Sequence, residues 1–420
     1  MAQEEARVSE RLGAIYARSL DCVHCGLCLE SCPTYRETGR EISSPRGRIY
    51  LLRGVAEGRL PLSDAVADEA YLCLDCRSCE TACPSGVRFG SLIELARAEV
   101  EEAGLRKGWP KRLERFGLRG ILPHRRRLHL AVGLLGAVQR LSLDRLLAPL
   151  LPPALRDSPA LLSAVPPRRQ RRALPRFVPA EGERRGRVGF FVGCVMPELF
   201  GAVNAATVRV LALNGFEVAV PRRQGCCGAL HAHSGDFEYA RSLARRNIAA
   251  FAAAEVDAIV VNSAGCSAAM REAGDWLPEE GGAFAANVRD VAEFLDAEGL
   301  RPPPGRVEAE VCYDDPCHLI HGQGVAEAPR RLLEQIPGIS LRPHADPAAC
   351  CGAAGIYNLT HAEMSQAILA RKLDALAAAD PDVIATGNPG CLMQLRAGAQ
   401  LRGLRARVAH PIELLDEAYR

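Results

Sequence analysis

The chain has 420 residues, a length that suggests two or three domains, and its net charge of +2 gives no indication of a nucleic-acid partner. At 48% hydrophobic and 5% aromatic residues it can bury a core built mainly from Ala, Leu and Val. The N-terminus, Met1 to Glu10, is charged and lacks the apolar segment of a secretory signal. No stretch reaches the roughly 18 apolar residues that span a bilayer. These features predict a cytoplasmic protein, either soluble or peripheral on a membrane.

Two cysteine runs follow a predicted helical lead-in over residues 1–20. Seventeen cysteines fall in tight groups, which in a reducing compartment indicates metal binding or redox chemistry rather than disulfides. The first run is Cys22-x2-Cys25-x2-Cys28-x3-Cys32-Pro and the second is Cys73-x2-Cys76-x2-Cys79-x3-Cys83-Pro. This is the spacing of two-cluster bacterial ferredoxins, in which the fourth cysteine of each run binds the other cluster.

The spacing therefore predicts two [4Fe–4S] clusters with interlaced ligands. Cluster 1 takes Cys22, Cys25, Cys28 and Cys83, and cluster 2 takes Cys73, Cys76, Cys79 and Cys32. Zinc prefers two separated CxxC pairs, so zinc knuckles are the weaker alternative. Between the runs, Arg46 and Arg48 can either offset cluster charge or form ordinary surface ion pairs.

A basic segment, residues 106–187, comes next. It holds 20 Lys/Arg against 5 Asp/Glu, a net charge of +15, which leaves −13 on the rest of the chain. The pattern predicts amphipathic helices, including the Leu- and Pro-rich stretch Leu146–Pro153, followed by an extended linker from Pro166 to Arg187. The charge indicates either a solvated linker or a surface that faces an acidic partner or anionic lipid.

From Arg187 onward the sequence repeats itself with offsets of 123 to 125 residues. Short β-branched runs alternate with helical periods, for example Val188–Gly193 and Ala258–Asn262 as strands, and a helical stripe from Phe237 to Phe251 that Ser234 or Asp236 can cap. The predicted fold class is an α-helical ferredoxin-type domain followed by a duplicated α/β domain with a mostly parallel sheet and pseudo-twofold related halves. The predicted division is 1–105, 106–187, 188–300 and 301–420.

Each half offers four thiols: one after the first strand, a vicinal Cys-Cys-Gly, and one after a strand and a Gly, at a strand's carboxyl end. The two sets are Cys194, Cys226, Cys227 and Cys266, and Cys317, Cys350, Cys351 and Cys391. Each set can hold a further iron–sulfur or zinc centre, or consist of buried free cysteines. Lone Cys312 fits a buried structural residue, and the nearby histidines, His231, His233, His318, His321 and His361, fit surface or hydrogen-bonded ones.

Over nearly its whole length the chain resembles the iron–sulfur subunits of bacterial glycolate oxidase. The resemblance is carried by Cys32-Pro-Thr-Tyr, Ser44-Pro-Arg-Gly-Arg-Ile-Tyr-Leu, Asp315-Pro-Cys-His-Leu and Asn388-Pro-Gly-Cys391-Leu-Met-Gln-Leu. It implies a flavoprotein catalytic subunit that carries the FAD, a second flavoprotein-like subunit, and a quinone acceptor at the membrane. Anaerobic glycerol-3-phosphate dehydrogenase has a subunit of the same architecture. Related heterodisulfide reductase domains use a cysteine three residues after the last one, where this chain has Ala269 and Gln394.

The leading hypothesis is an electron-transfer subunit that is not catalytic alone. No G-x-G-x-x-G opens a βαβ unit, so the chain lacks an evident hydride acceptor of its own. A thiol or disulfide reductase acting at the Cys-Cys-Gly sites is an alternative that requires an exposed cysteine of low pKa. A regulatory iron–sulfur sensor is a third hypothesis, which lacks a recognisable DNA-reading motif.

Overall fold

The computed structural model describes residues 10–143, 164–171 and 173–420. These residues form two compact units. The first comprises the described residues up to Glu114 together with Leu230–Phe237, and the second comprises the remaining described residues.

The first unit is helical. Its helices are α1 Glu10–Ser19, α2 Pro33–Thr38, α3 Pro45–Ala56, α4 Asp64–Leu72, α5 Ser78–Thr81, α6 Phe89–Glu102 and α7 Trp109–Arg115. The lead-in predicted over residues 1–20 forms α1, and residues 1–9 lie outside the described part. Helix α3 begins where Ser44 accepts a hydrogen bond from the Gly47 N–H and Pro45 fixes the first turn. The core packs Ile15, Leu92 and Ile93, which are fully buried, against the cysteine loops.

The second unit begins with helices from the basic segment and continues as α/β. After a π-helical turn, Phe116–Ile121, come α8 Arg125–Arg140, a 3-10 turn Arg168–Arg171, β1 Phe177–Val178, β2 Gly186–Phe191, α9 Met196–Leu199, α10 Gly201–Leu213, β3 Phe216–Ala219, α11 Ala229–His233, α12 Phe237–Ala252, β4 Ala258–Val261, α13 Ala264–Trp276, α14 Gly282–Ala286, β5 Val288–Asp290 and α15 Val291–Glu298. Most of α11 belongs to the first unit.

The second half of this unit repeats the pattern. Its elements are β6 Ala309–Tyr313, α16 Cys317–Gln323, α17 Ala328–Glu334, β7 Ile339–Leu341, α18 Tyr357–Thr360, α19 Ala362–Ala379, β8 Val383–Ala385, α20 Pro389–Arg402, β9 Arg407–Ala409 and α21 Pro411–Tyr419. The strand order is β1-β3-β2-β4-β5 in one sheet and β7-β6-β8-β9 in the other. Apart from the antiparallel pair β1 and β3, all described pairings are parallel. The order β3-β2-β4-β5 therefore recurs as β7-β6-β8-β9, which agrees with the predicted duplication and mostly parallel sheet.

One hydrophobic core serves both sheets. It joins Val188 and Phe190 of β2 to Val311 and Cys312 of β6 and to Ile384 of β8. Cys312 is fully buried there, as expected for a structural cysteine, and burial raises its pKa to about 11. The helix predicted from Phe237 forms α12, which starts directly after Asp236 and buries Ala240, Ala244 and Phe251.

The linker prediction for Pro166–Arg187 needs correction. This segment contains the 3-10 turn Arg168–Arg171, the strand β1 and the start of β2, so it contributes to the first sheet. The pairing depends on β3, a distant partner, and β1 has only two residues, too few for a recognisable period. The predicted amphipathic helices are present as α7 and α8, whereas Leu146–Pro153 lies outside the described residues. Within the described ranges, no helix is long and apolar enough to cross a membrane.

Candidate iron–sulfur and cysteine-rich metal centres

The first cysteine group lies at the surface of the first unit. Cys22, Cys25 and Cys28 from the first run and Cys83 from the second run line one cavity, which Cys79 also borders. Cys25 is exposed and the other three are half-buried. Burial raises the pKa of the Cys28 thiol, and Cys22 and Cys83 are near enough to raise it further, while the Arg46 backbone N–H lowers it. The chain thus brings together the three cysteines of one run and the fourth of the other.

The second cysteine group lies deeper in the same unit. Burial raises the pKa of Cys79 well above its usual value, and the neighbouring thiols of Cys76, Cys73 and Cys32 add to the effect. Cys32, Cys76 and Cys79 are buried, and Cys73 is half-buried. Cys32 comes from the first run, so the second group is interlaced in the same way as the first.

Backbone N–H groups reach one sulfur of each group, and both of these sulfurs belong to the second run. The Asp75 N–H donates to Cys73 Sγ at 3.3 Å, and the Val87 N–H donates to Cys83 Sγ at 3.5 Å. Such bonds favour the thiolate form that iron requires. Both donors lie in the second run or just after it.

The two arginines between the runs have different positions. Arg46 donates to the carbonyl oxygen of His24 at 3.1 Å and pairs with Glu41, so it braces the first loop at the surface. Arg48 is almost fully buried and donates to the Glu69 carbonyl oxygen at 2.7 Å and to Thr34 Oγ1 at 3.2 Å. Burial raises the pKa of the Cys73 thiol, and the charge of Arg48 opposes that rise. Arg46 therefore forms a surface ion pair, whereas the charge of Arg48 acts on a cysteine of the second group.

A buried ionic cluster surrounds the second loop, and no pattern in the sequence indicates it. His233 Nδ1 lies 2.8 Å from Glu94 Oε1 and 3.0 Å from Asp75 Oδ2. Arg77 lies 3.8 Å from both carboxylates. A His, an Asp and a Glu can hold a metal ion, but here two cationic side chains balance two carboxylates, so we assign the cluster to positioning the loop.

Arg97 ties the same loop to the returning chain. It donates to the carbonyl oxygens of Cys73, of Ala70 at 3.0 Å and of His233 at 2.8 Å. The Tyr71 hydroxyl donates to the Ser234 carbonyl oxygen at 3.1 Å. The segment Leu230–Phe237 is therefore part of the wall around the second cysteine group.

In the first α/β half, the four thiols predicted as a set meet at the carboxyl ends of β2 and β4. Cys194 follows β2, and Cys266 lies in the first turn of α13 rather than in a loop. Cys227 and Cys266 have their Sγ atoms 3.4 Å apart. Hydrogen bonding with Cys194 raises the pKa of Cys226 well above its usual value, and that with Cys226 does the same for Cys227. Four crowded thiols lose their protons together only if a cation replaces them.

In the second half, the equivalent four thiols meet at the ends of β6 and β8. A hydrogen bond with Cys317 raises the pKa of Cys350. Hydrogen bonds with the thiols of Cys350 and Cys391 lower the pKa of Cys351 well below its usual value. Lys372 adds to that lowering and is buried. Its Nζ lies 2.7 Å from Asp314 Oδ1 and donates to the carbonyl oxygens of Asp346 and Pro347. In the first half, the position equivalent to Lys372 is occupied by the neutral Asn247. The Asn247 side chain accepts a hydrogen bond from the Gly225 N–H and donates one to the Cys226 carbonyl oxygen.

The other candidates do not join these sets. Ala269 and Gln394, where related domains have a further cysteine, are buried. His321 Nε2 lies 3.0 Å from the Ala348 carbonyl oxygen, and His361 stacks on Tyr357 with ring centroids 4.6 Å apart. Together with His233, these are hydrogen-bonded or stacked histidines, as the sequence suggests.

The donor chemistry fits iron–sulfur clusters in the first unit. Two groups of four sulfurs, one of them around a cavity, offer the thiolates that a [4Fe–4S] cube needs. The two α/β sets offer four sulfurs each, which suits either an iron–sulfur centre or zinc.

Comparison with known proteins defines the class. A "4Fe-4S dicluster domain" model matches residues 18–87, and a "Cysteine-rich domain" model matches residues 188–271 and 311–396. The chain is therefore an iron–sulfur protein with a dicluster domain and two cysteine-rich repeats. The matched ranges contain all seventeen cysteines of the chain.

Full-length relatives narrow the class to a family. A Bacillus subtilis (strain 168) protein named "Probable glycolate oxidase iron-sulfur subunit" is 38% identical over 415 residues, 95% of this chain and 94% of that one. The "Glycolate oxidase iron-sulfur subunit" of Escherichia coli (strain K12) is 34% identical over 427 residues, 99% and 98% of the two chains. One subunit of the dihydromethanophenazine:CoB–CoM heterodisulfide reductase of Methanosarcina mazei is 26% identical over 437 residues, 98% and 96% of the two chains. The chain belongs to the glycolate oxidase iron–sulfur subunit family.

Proposed function

We propose that this chain is the electron-transfer subunit of a flavin-dependent 2-hydroxy-acid oxidase complex, with glycolate as the substrate of the complex. The observation that carries the proposal is the interlaced convergence of eight cysteines into two groups of four. Family membership supports the type of complex. One-electron clusters connect a two-electron flavin on a partner to a quinone acceptor, and this chain needs no substrate site of its own for that task.

The proposed ligands follow the two groups. Cys22, Cys25, Cys28 and Cys83 hold cluster 1, and Cys73, Cys76, Cys79 and Cys32 hold cluster 2. The exposed Cys25 makes cluster 1 the one that meets a redox partner, since electron transfer requires a close approach. The buried cluster 2 exchanges electrons through cluster 1 or through the protein interior.

We further propose that each α/β half binds one additional centre through its four cysteines, and that the halves are related by a pseudo-twofold axis. The recurring strand order and the convergence of four thiols at equivalent strand ends support both statements. The thiol-reductase hypothesis is weaker, because Cys351, whose pKa is lowered, is only 3% exposed.

The test is elemental analysis of the full chain isolated without oxygen. About eight irons and eight sulfides per chain indicate two clusters, and about twelve or sixteen irons, or additional zinc, indicate loaded α/β halves. Iron-free protein would refute the proposal. With the flavoprotein partner added, glycolate should reduce the clusters, as seen by electron paramagnetic resonance (EPR). If glycerol 3-phosphate reduces them and glycolate does not, the result would favour the subunit of anaerobic glycerol-3-phosphate dehydrogenase instead.

The basic segment offers a surface for an anionic membrane. Helix α8 buries Val132 and Gly136 but exposes Leu130 and Leu134, and Leu141, directly after the helix, is also exposed. Three arginines, Arg125 to Arg127, are exposed at its start. Apolar residues on one face of a basic helix suit a peripheral contact with anionic lipid.

Sedimentation with anionic vesicles checks this contact. Binding should fall as salt rises from about 0.1 M to 1 M, because the Debye length shrinks from about 10 Å to about 3 Å. Neutral vesicles are the control. Binding that does not change with salt would argue against the electrostatic contact.

A further inference from the structure

The helices that carry Cys266 and Cys391 begin in the same way but are capped differently. Helix α13 follows Ser263 and helix α20 follows Asn388, which are equivalent positions in the two halves. Ser and Asn at such positions usually accept a hydrogen bond from the first turn of their own helix. Neither residue does so here. The first-turn N–H groups of α13 must therefore be satisfied from elsewhere.

Asn388 supplies that cap across the two halves. Its Oδ1 accepts the N–H of Gly265, the second residue of α13, at 3.1 Å. Its Nδ2 donates to Cys391 Sγ in its own half at 3.5 Å. One amide thus contacts a cysteine of the second set and the residue next to Cys266 of the first set.

Other residues of the second half hold the same turn of α13. The Gly387 carbonyl oxygen accepts the N–H of Ala264 at 3.1 Å. Gln323, at the end of the helix that starts with Cys317, donates to the Ala264 carbonyl oxygen at 3.1 Å and to Ser267 Oγ at 2.9 Å. The position of Cys266 is therefore fixed by segments that also position Cys317 and Cys391.

We propose that Asn388 is a positioning residue that couples the two four-cysteine sets, so that metal held by one set stabilises metal held by the other. This inference rests on the proposed metal binding by both sets. The Nδ2 hydrogen bond orients Cys391 Sγ, and a metal that fixes this sulfur also fixes the amide. The fixed amide keeps Oδ1 on Gly265 and so holds the first turn of α13, which carries Cys266.

Two substitutions distinguish the hydrogen bond that Asn388 Oδ1 accepts from the one that Nδ2 donates. Asn388→Ser installs the residue that the first half has at the equivalent position and removes both contacts. Asn388→Asp keeps the acceptor for Gly265 but replaces the N–H donor to Cys391 with a negative oxygen. Asn214→Ser is the structural control, because Asn214 bonds to Val210, Arg301 and Tyr419 and to no cysteine.

The experiment uses the full chain isolated without oxygen and two measurements. One is iron and zinc retained during a chelator challenge, and the other is the rate of alkylation at Cys266 and Cys391, read by peptide mapping. Loss of a partner that orients metal ligands typically weakens metal binding about 10- to 100-fold. Asn388→Ser should therefore speed metal loss and alkylation at both cysteines by about tenfold or more, and Asn388→Asp should act mainly at Cys391. Asn214→Ser should leave both rates unchanged.

The possible failures are distinguishable. If the wild-type chain retains metal in the α/β halves but Asn388→Ser speeds alkylation only at Cys391, or at neither cysteine, the coupling is refuted and the proposed function stands. An equal effect of Asn214→Ser would likewise refute it, since general loosening would then explain the data. If the wild-type α/β halves hold no metal, the proposal of additional centres fails and the coupling fails with it.

Discussion

The two cysteine runs of the first unit share one backbone path but occupy different surroundings. In each run, the residues on either side of the second cysteine have positive φ angles: His24 at 56° and Gly26 at 86°, Asp75 at 54° and Arg77 at 63°. Only the first run uses glycine, the residue that adopts this conformation without a steric cost. The second run holds non-glycine residues there, so its surroundings must supply the stabilisation.

The first loop lies at the surface, whereas the second loop is buried among charged side chains. The first loop is exposed at Cys25, Val23 and Leu27 and is braced by Arg46. In the second loop Asp75 is 3% exposed and is held within a cluster of charged side chains. One loop geometry thus serves an outer centre whose ligand meets solvent and an inner centre whose loop is locked by buried charge.

The largest effect should come from removing one cysteine of each run. Cys25→Ser should cost about four irons per chain and abolish glycolate-driven electron transfer by the assembled complex, while flavin stays on the partner. Cys76→Ser should also cost about four irons. Because Cys76 is buried, replacing its sulfur with a polar hydroxyl should in addition lower the free energy of unfolding. Iron content, EPR and denaturant unfolding measure these quantities.

Cys312→Ser is the matched control, since Cys312 is buried in the other unit and belongs to neither run. It should reduce stability without loss of iron from the two clusters. Full electron transfer by the Cys25→Ser complex would contradict the relay through the outer centre.

The second prediction concerns His233, which the inner loop has and the outer loop lacks. Burial lowers the pKa of His233, but hydrogen bonds to Asp75 and Glu94 outweigh it and raise the pKa to about 10. A histidine whose pKa is raised on folding stabilises the protein fully below its unfolded pKa of about 6.5, and this contribution is lost as pH rises through 10. Stability of the first unit should therefore decline between about pH 6.5 and 10. Arg77 and Arg97 also face this group, Arg77 through Glu94 and Arg97 through the His233 carbonyl oxygen.

His233→Gln should remove this pH dependence and lower stability by about 3–5 kcal/mol near neutral pH, because two buried carboxylates lose one of their two cationic partners. Denaturant midpoints of the cluster-loaded chain at several pH values provide the measurement. His24→Asn is the control in the outer loop: asparagine tolerates a positive φ, and His24 is half-buried, so a small change is expected. Parallel pH curves for His233→Gln and the wild type would show that the imidazole does not stabilise the inner loop.

The contrast between the loops also marks what a sequence can predict. Cysteine spacing predicts which cysteines bind the same cube, because ligation of a cube fixes local spacing. The contact of His233 with Asp75 cannot be predicted from the sequence, because the two residues are far apart in the chain and no motif around His233 indicates that they pack together. Asn388 has the form of an ordinary helix cap, and only the three-dimensional structure shows that it caps the opposite half. The alternation of short β-branched runs with helical periods predicts the α/β fold, and the repeats predict its duplication. The strand β1 has only two residues, too few to show a period.

The smallest expected effect tests why only the outer loop contains glycine. An added Cβ at Gly26 would lie 2.7 Å from Arg46 Nη1, the same group that holds the His24 carbonyl oxygen. Gly26→Ala should therefore cost about 1–2 kcal/mol for the left-handed backbone and loosen the Arg46 brace as well. Gly39→Ala is the control, because φ there is also positive but no atom lies within 4 Å of the added Cβ.

Denaturant unfolding and the rate of iron loss in air together separate the two contributions. Both variants should lower stability by a similar backbone cost, but only Gly26→Ala should accelerate loss of the outer cluster.

In the inner loop, Arg77→Gly should relieve the strain of a positive φ at a non-glycine residue. The variant should still be less stable than the wild type, because this relief is smaller than the cost of losing a cation between Asp75 and Glu94. A stabilising Arg77→Gly would mean that the charge cluster does not hold the inner loop, and the distinction between the two loops would then reduce to exposure alone.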